Sequence, residues 1–82
     1  MDYNKTIGKI YDFDGETGTI ISNEKEFLFN LTNIYNQEHP KKNSLVSFYP
    51  STIKFGNEIF NIAREIETLN KNDIKKLQKE RN

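Results

Sequence analysis

Apolar residues along this chain recur mainly at period two, in short runs broken by polar turns, which is the pattern of half-buried β-strands. The clearest case is residues 18–31, GTIISNEKEFLFNL. Its first arm, residues 18–22, is rich in β-branched side chains that pack well on a pleated surface. Its second arm, residues 26–31, carries Phe27 and Phe29 two apart, with Asn23, Glu24 and Lys25 as a polar turn of hairpin length between them. Successive strand side chains point oppositely, so Phe27 and Phe29 share one face and Leu28 and Asn30 the other. One face builds a core, and the second is left to meet whatever the protein binds.

The flanking segments extend this pattern. Residues 6–13, TIGKIYDF, read as a preceding strand ended by the tight-turn dipeptide Asp14-Gly15, with Gly8 marking a bulge or a sharp coil. Residues 32–44 form a long polar connection that holds His39, Pro40, Lys41 and Lys42. Residues 45–49, LVSFY, predict a fourth strand closed by Pro50, which cannot donate to a ladder. The chain then turns at Gly56, and residues 58–66, EIFNIAREI, predict a fifth strand with Phe60 and Ile62 on one face. Ile10, Ile20, Phe27, Phe29, Val46, Phe48, Phe60 and Ile62 are the expected core. From residue 68 the character changes: Asn70 or Asn72 can cap a helix, residues 73–81 are strong helix formers, and Ile74 and Leu77 share a face. The expected organisation is a barrel over residues 1–67 and a basic C-terminal helix or tail over 68–82. Short turns between the first three strands and a long loop before the fourth describe an all-β, five-stranded OB-fold Greek-key barrel with a short C-terminal helix.

Composition narrows the function. A chain of 82 residues holds one small core, and six Phe and four Tyr make that core aromatic despite an apolar fraction of 34%. Without cysteine and with a single His, thiolate and multi-histidine metal sites are excluded, so no metal and no cofactor is expected. No phosphate loop, cysteine nucleophile or Ser with a positioned base is legible, and Asp12, Asp14 and Glu16 read as a solvated turn rather than an acid and base pair. The reading is non-enzymatic. No apolar run approaches the ~18 to 20 residues that span a bilayer, and MDYNKTIGK has no apolar signal region, so a soluble, cytoplasmic protein without membrane contact is expected. The formal charge of zero hides a division: residues 1–70 carry seven basic against ten acidic side chains, and residues 71–82 carry five against two. The barrel is mildly acidic and the tail basic, so the barrel as a whole has little electrostatic pull on phosphates.

The order of these segments resembles the cold-shock domain. The resemblance rests on Gly8-Lys9-Ile10 with Phe13-Asp14, on Gly18 and Ile20, and on residues 27–34, FLFNLTNI, in place of the family's VFVHFSAI. Val46-Ser47-Phe48 repeats the family's VSF, and residues 59–62, IFNI, stand where it has AANV. The match covers residues 6–66. It implies the OB barrel and single-stranded RNA or DNA stacked on a strand face that bears two ribonucleoprotein motifs. Here the first motif, KGFGFI in the family, reads ETGTII over residues 16–21, with Thr17 and Thr19 at the stacking positions. In the second, the outward Phe, His and Phe fall on Leu28, Asn30 and Leu31, and the usual first-strand Trp falls on Asp12. Stacking on an aromatic side chain contributes ~1 to 3 kcal/mol per base, so this face is expected to bind nucleic acid weakly.

Two functional readings follow. In the first, Lys9, Tyr11, Phe13, Thr17, Thr19, Leu28 and Asn30 contact single-stranded RNA or DNA, with Lys41, Lys42 and the basic tail as further phosphate contacts. In the second, the barrel keeps its fold while the altered face meets a protein partner, a role suited to Leu28 and Leu31 if both are exposed. Tyr35, Tyr49 and Phe55 together offer a further aromatic patch for such a partner. The oligomeric state is not legible.

Overall fold

The computed structural model describes residues 5–35 and 40–69. The expected C-terminal helix or tail from residue 70, the lead-in over residues 1–4 and His39 lie outside the described residues. Five strands, β1 (Thr6–Phe13), β2 (Thr17–Ser22), β3 (Lys25–Asn30), β4 (Leu45–Phe55) and β5 (Glu58–Thr68), close into a barrel with neighbour order β1-β2-β3-β5-β4. All pairings are antiparallel except β3 with β5, which run parallel. This is the OB-type all-β barrel expected from the hydrophobic pattern.

Alternation along the strands delivers the core. Ile10, Ile20, Phe27, Phe29, Val46 and Phe48 all point inward and are buried, joined by Ile34, Ala63 and Ile66. The Phe27 and Phe48 rings meet at 5.0 Å, and half-buried Phe13 stacks on Phe29 at 5.3 Å near one mouth of the barrel. Turn chemistry sets the register. Asn23 and Glu24 adopt φ of 52° and 65°, the left-handed pair that a two-residue primed hairpin turn requires, so Lys25 belongs to β3 rather than to the turn. Asn30 ends β3 by capping a single 3-10 turn over Leu31–Asn33, which removes Leu31 from the strand.

Four expectations are corrected. Pro50 does not close β4, which runs on to Phe55. Among the described residues β1 pairs with β4 over Leu45–Phe48, and beyond that stretch β4 continues against β5, where Pro50 stands opposite Ala63 without ending the ladder. Gly8 is not a bulge. The β1 bulge falls at Tyr11, between Ile10 and Asp12, while Gly8 is required by packing: a Cβ there would lie 2.5 Å from Ile20 Cγ2. Phe60 and Ile62 are half-buried on the outer face rather than in the core, because Ile62 pairs with outward-facing Leu28. Ala63 and Ile66 take the inward positions although they stand three apart. An extra residue around Glu65, itself at φ 50°, makes that spacing possible. Finally, Tyr35, Tyr49 and Phe55 do not form one patch. Tyr49 is half-buried under the Lys5 ammonium, and six residues of strand, roughly 20 Å, separate it from Phe55. Tyr35 sits near the far end of β5, where its N–H donates to the Ile66 carbonyl.

Gly18 is as tightly enclosed as Gly8, but by backbone. A Cβ there would lie 2.5 Å from the Asp12 carbonyl oxygen and 2.6 Å from the Phe29 ring. Backbone cannot swing aside as a flexible side chain can, so Gly18→Ala is expected to cost about 1 to 3 kcal/mol, read as a lower urea midpoint. Gly56→Asn, at a turn where an added side chain meets open space and φ of 64° suits Asn, should shift the midpoint far less.

Candidate functional site

Cross-strand register lays a continuous row over the outer face of the sheet: Asp12 opposite Thr19, Thr19 opposite Leu28, Leu28 opposite Ile62 and Ile62 opposite Ser51. Thr17 and Asn30 form the next outward pair towards the barrel mouth. The β4–β5 hairpin continues past the barrel as a two-stranded arm, reversed by Gly56-Asn57 with Gly56 at φ 64°. On this arm Ile53 pairs with Phe60 and Phe55 with Glu58, on the same face as Ile62. Ile59 is exposed on the opposite face of the arm, paired with Lys54.

Sheet and arm together enclose a groove of about 780 Å³, within the ~300 to 1,000 Å³ typical of ligand clefts. Its floor is Thr19, Leu28 and the edge of Phe29, reached where Gly18 has no side chain. One wall is Asp12, Phe13 and Asp14 from the β1–β2 turn, and the other is Ile53, Phe55, Phe60 and Ile62 from the arm. Phe55 is 77% exposed, and Leu28 and Leu31 are each 44% exposed. Among the groove-lining side chains there are two carboxylates and no Lys or Arg.

The β1–β2 wall is held by its own carboxylate. Asp14 Oδ1 accepts hydrogen bonds from the Glu16 and Thr17 N–H groups, both at 2.8 Å, while Gly15 takes φ of 100° to close the turn. At the mouth, Asn30 Oδ1 accepts from the Thr32 N–H at 2.9 Å and from the Thr32 hydroxyl, and Asn33 Oδ1 accepts from the Asn30 N–H. Both side-chain carbonyl oxygens are thus engaged in holding the turn at the mouth.

Of the seven site residues read from the sequence, the structure brings together Phe13, Thr17, Thr19, Leu28 and Asn30. Lys9 and Tyr11 do not line the groove. Lys9 faces outward opposite Ile21, in the next outward row down from Asp12, and Tyr11 is exposed at the β1 bulge. Sequence reading missed Ile53, Phe60 and Ile62 as site residues, and placed Phe55 in a separate aromatic patch rather than with the groove residues. A signal was present: Gly56-Asn57 is a two-residue hairpin turn flanked by alternating apolar residues on both sides.

The strand order and closure define this chain as a five-stranded OB-type barrel whose groove lies between its first turn and its β4–β5 arm. No protein-family model, curated protein or solved structure matches the chain. No helix of the described residues is long and apolar enough to cross a membrane, and no cluster of potential metal ligands occurs among them.

The two backbone N–H groups on Asp14 hold its carboxyl below the ordinary value of 3.8. The depressed pKa belongs to the folded turn, so its stabilising contribution is present above the usual carboxylate range and is lost as pH falls through the folded value. A carbon-detected NMR titration should place the Asp14 midpoint below 3.8. A midpoint at or above that value would mean the turn does not hold in solution.

Proposed function

We propose that this chain is a non-enzymatic module that binds single-stranded RNA or DNA in the groove, with base stacking as the main attraction. One observation carries the reading: Phe13, Phe55 and Phe60 line a single concave face, and Phe55 stays mostly exposed although nothing in the fold requires a ring there. OB-fold barrels bind oligonucleotides on the β2–β3 face between these same two loops. Thr17 and Thr19 replace the rings that the cold-shock resemblance implies, and the arm supplies others across the groove. The resemblance supports the reading as analogy, and a cytoplasmic setting accords with a chain free of cysteine.

Electrostatics shape the expected behaviour. A protein making 6 to 10 phosphate contacts loses roughly 10³- to 10⁵-fold in affinity between 50 and 200 mM salt. With Asp12 and Asp14 and no cation lining the groove, the loss here should stay within roughly tenfold.

The same carboxylates, together with exposed Leu28 and Leu31, favour a second reading in which a protein segment of apolar and basic residues occupies the groove. Fluorescence anisotropy with labelled octamers of uridine and thymidine separates the two. Binding in the micromolar range should weaken about 5- to 150-fold in Phe55→Ala, the equivalent of ~1 to 3 kcal/mol for one stacked base. Phe55 contributes little to the core, so the variant stays folded. Absence of binding at several hundred micromolar protein would remove the nucleic-acid reading and leave the protein partner.

A further inference from the structure

We infer that the groove prefers guanine, read by the Asp12 carboxylate. The inference rests on the nucleic-acid reading and specifies which base that site selects. Asp12 is exposed, lines the groove, and its carboxylate takes part in no hydrogen bond or ion pair among the described residues. Asp14 differs, because its Oδ1 already accepts two backbone N–H groups.

An ionised carboxylate is an acceptor only, with two oxygens able to take parallel hydrogen bonds. Among the bases, guanine alone presents two adjacent donors on its Watson–Crick edge, the N1–H and the N2 amino group. Cytosine and adenine present one amino group beside an acceptor nitrogen. Thymine and uracil present one N–H flanked by two carbonyl oxygens, which a carboxylate repels. A face lined by Asp12 therefore ranks guanine first and thymine or uracil last.

The register places Asp12 suitably. Neighbouring strands lie about 4.8 Å apart, so along its row Asp12 stands about 10 Å from Leu28 and about 14 Å from Ile62. A base lying over Thr19 and Leu28 spans that interval with its Watson–Crick edge towards Asp12. Its flat face then lies on the apolar floor, and its sugar and phosphate point away from the carboxylates towards the arm. The arrangement lets an acidic groove accept a polyanion, because the negative side chains meet a base edge rather than a phosphate.

The test compares two labelled octamers, one all thymidine and one thymidine with a single central guanosine, a design that avoids four-stranded guanine structures. The protein should bind the guanosine-containing octamer on the order of tenfold more tightly, the lower end of what one bidentate contact discriminates. In Asp12→Asn, whose amide offers only one acceptor oxygen, that ratio should fall towards one. Equal affinity of the unsubstituted protein for both octamers, or a ratio that survives Asp12→Asn, would overturn the guanine inference while leaving stacking in the groove intact. Binding of neither octamer would overturn both.

Discussion

The approach of β1, β2 and β3 at Gly18 is the constraint on which the rest of this molecule depends. Asp12 and Phe29 come so near that position that only hydrogen fits. Beneath it Phe13 and Phe29 stack, and above it the outward row from Asp12 to Ser51 is drawn into a shallow trough. Gly8 performs the same service lower in the barrel, where Ile20 and Phe48 fill the space a side chain would need. A small barrel must curl its wall sharply, and sharp curling brings backbone and ring within a distance that any Cβ would obstruct. Core and groove are two sides of that one close contact.

The inward half of this architecture was legible because period two is a strong signal where β-branched and aromatic residues alternate with polar ones. Phe27 and Phe29 fixed the face of β3, and Ile10, Ile20, Val46 and Phe48 followed from it. The misreadings share a cause: sequence shows the residue and not its neighbours. Pro50 reads as a stop unless it is known that β5 continues alongside β4 past it, with Ala63 opposite Pro50 and Ile62 opposite Ser51. Phe60 and Ile62 read as core in a run of alternating apolar residues, and only the extra residue near Glu65 reveals that Ala63 and Ile66 hold the inward positions. Alternation identifies two faces of a strand but not which face is inside, and near a bulge it does not even preserve the faces.

The candidate site was half legible for the same reason. Thr17, Thr19, Leu28 and Asn30 face outward by the logic that turns Phe27 and Phe29 inward. Residues of the arm join them only through long-range pairing, since Leu28 meets Ile62 across a parallel ladder that no local pattern announces. Once that pairing is known, the balance of forces at the site changes. The β2 and β3 positions on this face carry no aromatic ring, β4 and β5 bring Phe55 and Phe60 to it, and both of its acidic side chains stand on the β1–β2 wall beside Phe13.

Exposed apolar residues on the arm carry a further implication. An extension that among the described residues is two-stranded is prone to pair with other chains, and β4 bears Pro50 and Lys54 there, both of which discourage such pairing. Ile53 and Phe55 nevertheless present their side chains towards the groove, where water alone gives them no gain. A flat or apolar surface laid in the groove would supply that gain, and a row of hydrogen-bond donors along its edge would complement the Asp12 carboxylate on the facing wall.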